Sequence, residues 1–267
     1  MLILVTGGTG YLGRELVALA PEAVAAGFSQ SAALQFDIRD PDAVEKAIRD
    51  MSPEAIIHTA YRQDDPDAWA INVDGSGNVA RAAAANGARL IHLSTDVIFD
   101  GTSRTAYTEM DTPHPVTAYG RTKAAAEEQV RAADPAALLV RTSLIYGGAT
   151  LSKHEELALA AADGLSDTAF FTDELRSPIQ VGDLAAALLE LVATDLAGPL
   201  HVAGADTVSR HAFAALVVAR HGRDPARLRA TTTTELGLVR PLDCGLDSAR
   251  ARHLLRTGLR GVHTVLG

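Results

Sequence analysis

The chain has 267 residues, 47% of them hydrophobic and 21% charged, and its formal net charge is −9 at pH 7. This composition and length fit one large globular domain, alone or with a smaller one. The negative charge, without a dense Lys/Arg tract, argues against nucleic acid and anionic membrane surfaces as partners. The single cysteine, Cys244, excludes an internal disulfide and a multi-cysteine metal site. It fits a reducing compartment, and we predict a cytoplasmic protein.

The opening stretch MLILVTGGTG has no basic leader and only four apolar residues between Met1 and Thr6. That run is too short for a signal peptide or a membrane span. No other run approaches the about 18 apolar residues that a spanning helix needs. We therefore expect a soluble protein with no membrane partner.

Strands and helices alternate through about residue 147. The apolar runs do not alternate with polar residues, which is typical of parallel strands covered on both faces. The pattern predicts an α/β protein with a doubly wound parallel sheet of the Rossmann type. The predicted strands are 2–6, 22–28, 54–60, 89–95 and 136–147, and the predicted helices are 11–20, 40–50, 68–87 and 116–132.

After residue 147 the alternation loosens, and no Pro/Gly/Ser-rich linker separates the two parts. We predict that 1–147 form mainly the Rossmann core and 148–267 mainly a small C-terminal lobe, interleaved with the core rather than independent. We predict a loop or a strand edge for the segment 231–237, TTTTELG. In this part the predicted helices are 152–164, 182–194 and 209–222, and the predicted strands are 168–173, 177–181 and 199–204.

The first chemical signal is the stretch VTGGTGYLGREL at 5–16, between a strand and a helix. Gly7 permits the sharp turn, Gly10 lets the backbone approach a pyrophosphate, and Gly13 allows close packing of helix on strand. Free N–H groups at the helix N-terminus then face the phosphates. The alternative is a purely structural tight turn, but the position between strand and helix favours nucleotide binding.

The residues after the second predicted strand bear on the choice of cofactor. Sites for NAD place an acid there, on the ribose 2′-hydroxyl. Here the stretch reads GFSQS at 27–31 and has no acid. Ser29 and Gln30 can hydrogen-bond a 2′-phosphate, although no arginine is adjacent. The sequence therefore favours NADP(H) and leaves NAD(H) open.

The second signal is a Tyr-x-x-x-Lys pair, Tyr119 and Lys123, four residues apart on one face of a predicted helix. A nearby ammonium favours the tyrosinate, so that Tyr119 can exchange a proton near neutral pH. Such a pair occurs by chance in many helices. Its position is more informative, because it follows the hydroxyl pair of STDVIFDG at 94–101. The carboxyl ends of parallel strands share one crevice, where Thr95 and Tyr119 can face one carbonyl oxygen.

The ordered set of motifs resembles the extended short-chain dehydrogenase/reductase family, nearest its dTDP-4-dehydrorhamnose reductase-like branch. The resemblance covers nearly the whole chain. It rests first on VTGGTGYLGREL, STDVIFDG and AYGRTKAAAE, at 5–16, 94–101 and 118–127. Seven further stretches carry it: FDIRD (36–40), HTAYRQDD (58–65), INVDGSGNVARAA (71–83), RTSLIYG (141–147), DELRSPIQVGDLAAALLEL (173–191), GPLHVAGADTVSRHAFAALV (198–217) and RPLDCGLDSARARHLL (240–255).

The resemblance implies an oxidoreductase that uses a nicotinamide cofactor to reduce a keto group, on a nucleotide-linked sugar or a related polar metabolite. It implies a dinucleotide-binding core and a substrate-binding lobe, and it leaves a homodimer open. Tyr119 is then the general acid, Thr95 a donor to the substrate carbonyl, and Lys123 a ligand of the cofactor ribose that lowers the pKa of Tyr119. Asp37 contacts the adenine amino group, and Asn72 is the family's helix asparagine. The cofactor residues implied are Gly7, Gly10, Tyr11, Leu12, Gly13, Ser29, Asp37, Ile38, Ala60, Tyr61 and Lys123.

The implied substrate residues are Ser94, Asp96, Val97, Leu144 and Arg176. Two of these depart from the family pattern, which usually has an aromatic residue at Val97 and a tryptophan at Leu144. Both changes remove stacking surface for a sugar ring and put rhamnose synthesis in doubt. Arg176 precedes a Pro-bounded strand, and we weigh a clamp for a phosphate or carboxylate against a surface salt bridge.

Two alternatives to a reductase remain open from the sequence. A relative that binds the dinucleotide without catalysis would serve as a regulatory subunit, but it would not need Thr95, Tyr119 and Lys123. An epimerase or dehydratase of the same superfamily would keep these residues, and Asp96 suits a dehydratase as well as a reductase.

His58 and His92 lie inside apolar strands and are interpreted as core or cleft residues, so no metal site is predicted.

Overall fold

The structure, a computed structural model, describes residues 1–28, 31–64 and 66–267. The chain forms two compact units. The first contains residues 1–95, 118–141 and 185–200, and the second contains 96–117, 142–184 and 201–267. Residues 96–117 therefore lie outside the first unit although they precede residue 147, and 185–200 lie inside it.

Each apolar run predicted as a strand contains at least one strand, and four short strands of the described residues lie outside these runs. In the described residues the strands are β1 (Ile3–Thr6), β2 (Ala23–Gly27), β3 (Leu34–Gln35), β4 (Ala55–His58), β5 (Arg89–Thr95), β6 (Leu138–Thr142), β7 (Ile145–Tyr146), β8 (Ala169–Phe171), β9 (Leu175–Arg176), β10 (Ile179–Gln180), β11 (Gly198–His201), β12 (Val208–Ser209) and β13 (Arg229–Thr231).

The helices follow the segments with helical spacing. They are α1 (Tyr11–Leu19), α2 (Pro41–Met51), α3 (Gly75–Asn86), α4 (Ala118–Ala133), α5 (Lys153–Ala162), α6 (Val181–Val192), α7 (Arg210–Arg220), α8 (Ala249–Leu254) and α9 (Val262–Leu266). Shorter helical turns are a π-helix at Ala70–Asp74 and 3₁₀ turns at Asp96–Ile98 and Pro225–Arg227.

A seven-stranded sheet in the order β11-β6-β5-β4-β1-β2-β3 forms the centre of the first unit. The pairs among β3, β2, β1, β4 and β5 are parallel. The chain runs outward from β1 through β2 to β3, and then returns to add β4 and β5 on the other side of β1. The direction of winding thus reverses between β1 and β4, where ligands of open α/β sheets bind at the carboxyl ends of the strands. The predicted doubly wound fold is confirmed.

The helices of the first unit begin and end where their sequences contain capping residues. The Asp40 side chain accepts from the N–H groups of Asp42 and Ala43 at the start of α2, where Pro41 takes the first helical position. Gly87 ends α3 in the left-handed conformation, with φ of 66°. Along one face, α2 and α3 bury Val44, Ile48 and Val79 against the sheet residues Leu4 and Ile56.

Two expected elements are interrupted in the structure. The helix predicted over 68–87 begins as the π-helix Ala70–Asp74 before continuing as α3. The single strand predicted over 136–147 is wrong in its length, because the chain forms β6 and then a separate β7. Within the second unit, β7 pairs with β10, and the Ser143 hydroxyl before it donates to the Asp96 carboxylate at 2.6 Å.

The second unit contains three short strand pairs and its own core. β7 pairs in parallel with β10, β8 pairs in parallel with β13, and β9 pairs antiparallel with β12. The core packs Tyr146 edge-on against Phe213, with ring centroids 5.3 Å apart. A capping box begins α5, in which Ser152 and Glu155 satisfy each other's backbone N–H groups.

Candidate active site

The glycine-rich turn after β1 leads into α1, and among the described residues no side chain caps the first N–H groups of that helix. Gly7 has φ of 71°, and a Cβ atom there would lie 2.7 Å from the Ala60 backbone nitrogen. Gly10 caps α1 without a side chain, and its N–H donates to the Gly7 carbonyl oxygen at 2.8 Å. A Cβ on Gly13 would lie 2.6 Å from the Gly8 Cα atom. The turn is therefore closely packed by backbone, and the first turn of α1 has no acidic side chain to oppose an anion.

The predicted adenine side of the site follows β3. The Asp37 carboxylate accepts from the Arg39 guanidinium, with the Nε–Oδ2 distance at 2.9 Å and the Nη2–Oδ2 distance at 2.6 Å. These hydrogen bonds hold the pKa of Asp37 below its usual value. The carboxylate is thus an acceptor at neutral pH, as recognition of an amino group requires. Ile38 is buried, and Ser29 lies outside the described residues.

Asn72 joins the loop after β4 to helix α4. Its Oδ1 accepts from the Arg62 N–H at 2.8 Å, and its Nδ2 donates to the Arg62 carbonyl at 2.7 Å. The same Nδ2 lies 2.9 Å from the Thr122 Oγ1. The side chain is 1% exposed and is presented by the π-helix, a geometry frequent at functional sites. The loop that carries Ala60 and Tyr61 is thereby fixed to the helix that carries Tyr119 and Lys123.

The predicted catalytic residues lie in the first unit. Thr95 is the last residue of β5, and Tyr119 and Lys123 lie one turn apart at the start of α4. The Lys123 Nζ donates to the Leu93 carbonyl oxygen at 2.7 Å, two residues before Thr95. This contact brings the start of α4 to the carboxyl end of β5. The Tyr119 ring lies 5.8 Å from the ring of Tyr61, between centroids.

Lys123 is buried to 3% exposure, and burial lowers its pKa from 10.5 to about 8. Its Nζ lies 3.4 Å from the Nε2 of His92 on β5. Glu127, one turn further along α4, acts in the opposite direction on the Lys123 pKa. The Glu127 carboxylate is held by the Arg141 guanidinium at 2.8 Å. The lysine is therefore protonated at neutral pH but closer to titration than a surface lysine.

In the second unit, the predicted substrate residue Asp96 begins a 3₁₀ turn and is 3% exposed. Its carboxylate accepts from the Ser143 hydroxyl at 2.6 Å and lies 3.8 Å from the Arg176 Nε. Two residues of the turn, Ile98 and Phe99, are fully buried. Phe99 stacks on Tyr107 at 4.1 Å between ring centroids.

Arg176 lies in the interior of the second unit at 2% exposure, not at its surface. Its Nη1 donates to the Leu175 carbonyl at 2.6 Å and to the Leu242 carbonyl at 2.8 Å, and its Nη2 donates to the Pro241 carbonyl at 3.0 Å. The surface salt bridge considered from the sequence is therefore wrong. Because backbone carbonyls and buried carboxylates surround the guanidinium, it is poorly placed to bind a further anion.

The chain matches the model of the RmlD substrate binding domain family over residues 1–264. It belongs to this family. It is 40% identical over 240 residues to the dTDP-4-dehydrorhamnose reductase of Mycolicibacterium smegmatis, covering 85% of this chain and 71% of that protein. It is 31% identical over 279 residues to methionine adenosyltransferase 2 subunit beta of Pongo abelii, covering 94% and 82%.

Among solved structures, this RmlD-family chain is similar to the dTDP-4-dehydrorhamnose reductase of Bacillus anthracis str. Ames, crystallised in complex with NADP. The TM-score is 0.87 at 25% identity, and the match covers 100% of this chain and 98% of that one. The family and the fold predicted from the sequence are confirmed.

The structure distributes the predicted site residues of this RmlD-family chain over both units. The predicted catalytic residues, the described cofactor residues and Ser94 lie in the first unit. Asp96, Val97, Leu144 and Arg176 lie in the second. Val97 and Leu144 are half-buried, and Leu144 packs against the core of that unit.

Arg210, the first residue of α7, was not singled out from the sequence. Its N–H donates to the Glu174 carbonyl at 2.9 Å, which places it beside the ion-paired group of Glu174, Arg176 and Arg240. Among the described residues its half-buried guanidinium makes no hydrogen bond or ion pair. The stretch 198–217 resembles the substrate lobe of the reductase-like branch, but nothing in the sequence marks Arg210 within it.

In the ranges 1–28, 31–64 and 66–267, no group of three or more His, Cys, Asp or Glu side chains is arranged to hold a metal ion. In the same ranges, each helix is too short or too polar to cross a bilayer.

Proposed function

We propose that this chain is an NADPH-dependent reductase that acts on the keto group of a nucleotide-linked sugar. The observation that carries the proposal is the contact between the Lys123 Nζ and the Leu93 carbonyl at 2.7 Å. It supports the proposal because Lys123 lies one helical turn after Tyr119, and Leu93 lies two residues before Thr95 on β5. The relatives named dTDP-4-dehydrorhamnose reductase support the same reaction class.

The three side chains have complementary tasks in reducing a carbonyl. The Thr95 hydroxyl donates a hydrogen bond to the carbonyl oxygen, on which negative charge builds during reduction. The Tyr119 hydroxyl gives its proton to that oxygen. The Lys123 ammonium holds a ribose hydroxyl and favours the tyrosinate left behind. The bound cofactor supplies the hydride.

The residues of the first unit fit a dinucleotide. The uncapped start of α1, with Tyr11, Leu12 and Gly13, suits a pyrophosphate. The ionised Asp37 carboxylate suits the adenine amino group, and the loop fixed by Asn72 suits the nicotinamide side. NADP(H) is favoured over NAD(H) because the stretch 27–31 has no acid and because a similar solved reductase holds NADP.

For the substrate, the phosphates of a nucleotide-linked sugar need a cationic partner that other groups have not already neutralised. Arg210 meets this requirement better than Arg176, whose donors are engaged by Leu175, Leu242 and Pro241. Three arginines and two carboxylates, Asp96 and Glu174, interact electrostatically in this region. We therefore assign Arg210 to the substrate phosphates and Arg176 to the support of Asp96 and Glu174.

A second candidate is a dinucleotide-binding subunit of another enzyme, which the similarity to methionine adenosyltransferase 2 subunit beta favours. The complete set of Thr95, Tyr119 and Lys123 favours the reductase, because binding alone needs no proton donor. An epimerase would use the same side chains without net oxidation of the cofactor.

One assay separates these candidates. Purified protein is mixed with NADPH and a panel of keto-sugars linked to dTDP or UDP, and cofactor oxidation and sugar product are both quantified. The reductase should oxidise one NADPH for each keto group reduced. Cofactor binding without turnover of the panel would favour the subunit, and an isomerised sugar without NADPH consumption would favour the epimerase.

A further inference from the structure

Two buried histidines lie side by side beneath the predicted catalytic lysine. β4 and β5 pair so that His58 lies opposite His92, and their ring centroids are 5.3 Å apart. They are 1% and 0% exposed. The sequence indicates a core or cleft residue at both positions, but the hydrogen bonds of the two histidines differ.

Both ring nitrogens of His58 have partners. The Ser76 hydroxyl donates to the Asn72 carbonyl at 2.6 Å, so its oxygen is available to accept from the His58 Nε2 at 3.0 Å. The His58 Nδ1 then accepts from the Thr6 hydroxyl at 2.5 Å. His58 is thus a satisfied neutral core residue, and burial lowers its pKa to about 3.

His92 has a different arrangement. Its Nε2 lies 3.4 Å from the Lys123 Nζ, while its Nδ1 is buried and has no hydrogen-bond partner among the described residues. An ammonium group has donors only, so the Nε2 must be the acceptor and the proton must be on Nδ1. An unsatisfied buried N–H is destabilising, and an apolar residue at this position would avoid that cost.

We propose that His92 is a positioning residue that holds the Lys123 ammonium between its Nε2 and the Leu93 carbonyl. Two of the three ammonium donors are then engaged within the chain, and the third is available to the cofactor ribose. The catalytic part of this role rests on the proposed function, whereas the contact itself does not.

The titratable groups around this contact come from four elements. His58 and His92 lie on β4 and β5, Tyr119 and Glu127 lie on α4 with Lys123, and Arg141 of β6 pairs with Glu127. Burial, followed by the charge of Lys123, holds the pKa of His92 well below its ordinary value. Of Lys123, His58 and His92, only Lys123 is therefore charged at neutral pH. His92 stays neutral, so its Nε2 can accept a hydrogen bond.

The first test uses the wild-type protein and requires no activity. Nitrogen-15 NMR of the histidine rings reports protonation state and tautomer. We expect His92 to be neutral with its proton on Nδ1, and His58 to be neutral with its proton on Nε2. A proton on the His92 Nε2 would overturn the proposal, whether or not the protein reduces any sugar.

The second test compares His92→Leu, which removes the acceptor, with His92→Gln, whose Oε1 can accept from Lys123. Carbon-13 NMR of the lysine Cε atoms should show the Lys123 pKa lowered by about one unit in His92→Leu, because an acceptor for the charged form is lost. His92→Gln should restore most of the wild-type value. In a folded, active protein, the alkaline limb of kcat/KM should move by the same amount. An unchanged Lys123 titration in both variants would make His92 a core residue only.

These tests separate the two proposals. If the wild type reduces no keto-sugar but His92 carries its proton on Nδ1, the proposed function fails and the contact stands. If the wild type is an active reductase and the Nε2 carries the proton, the proposed function stands and the role of His92 fails.

Discussion

Asn72 and Thr122, fifty positions apart in the sequence, are joined by a hydrogen bond of 2.9 Å between the amide Nδ2 and the Oγ1. The same amide group holds both backbone polar groups of Arg62. One buried side chain thus connects the loop after β4 with the helix that presents Tyr119 and Lys123.

Asn72→Ala should therefore reduce both stability and cofactor affinity. The substitution removes three hydrogen bonds made by a buried side chain, and we expect the free energy of unfolding to fall by about 2 kcal/mol. NADPH should bind more weakly because the loop with Ala60 is no longer fixed. The measurements are urea unfolding and a titration with NADPH.

Asn86→Ala is the matched control, because the exposed Asn86 makes one side-chain hydrogen bond, to the Ala82 carbonyl. It should cost less stability and leave NADPH affinity unchanged. Equal effects of the two substitutions would mean that Asn72 does not couple loop and helix.

The buried ammonium of Lys123 predicts a specific dependence of stability on pH. Its pKa is about 8 in the folded chain against 10.5 for an unburied lysine. Between these values the unfolded state holds more protons, so this group makes the free energy of unfolding rise with pH across the window. Below pH 8 the burial of the charged Lys123 ammonium destabilises the folded chain fully, and above pH 10.5 this destabilisation is absent.

Lys123→Met removes this titration. The stability of the wild type relative to this variant should therefore increase by about 3 kcal/mol between pH 7 and pH 10.5. Urea unfolding of both proteins without cofactor at several pH values measures the difference, and groups common to both cancel. A difference that does not depend on pH would show that Lys123 is not titrated in this range.

The two arginines of the second unit should respond differently to truncation. Arg210→Ala should raise the substrate KM and leave NADPH affinity and stability near wild type, because only a substrate contact is lost. Arg176→Ala should lower the free energy of unfolding by about 3–5 kcal/mol, because Asp96 and Glu174 lose a buried partner.

Arg220→Ala, at the exposed far end of α7, is the control for loss of a positive charge from this helix. Steady-state kinetics and urea unfolding of the three variants decide the assignment. A raised KM in a stable Arg176→Ala protein, with Arg210→Ala unchanged, would return the substrate role to Arg176.

The sequence predicts much of the fold because the relevant signals are local. The bounds of β5 follow from the apolar run at 89–95, and α2 begins where Asp40 and Pro41 cap a helix. The break between β6 and β7 was not visible in the apolar run 136–147, because it coincides with the contact of Ser143 with Asp96, 47 positions away.

The same distinction applies to the site. Tyr119 and Lys123 could be placed together because one helical turn separates them. The contact of Lys123 with His92 joins residues 31 positions apart, and no local sequence pattern indicates it. The sequence also could not distinguish the buried Arg176 from Arg210, whose guanidinium makes no hydrogen bond or ion pair with the described residues, since burial and partners are properties of the folded unit.

The central claim is that Tyr119 donates the proton when a keto group is reduced. The most direct measurement is the kcat of Tyr119→Phe for NADPH-dependent reduction of the nucleotide-linked keto-sugar that the wild type accepts. Tyr61→Phe, which loses a hydroxyl from the ring 5.8 Å away, is the comparison. We predict that kcat falls by about two to four orders of magnitude in Tyr119→Phe, the usual range for a lost general acid, and far less in Tyr61→Phe. NADPH affinity should stay near wild type in Tyr119→Phe. Wild-type turnover by Tyr119→Phe would contradict the mechanism.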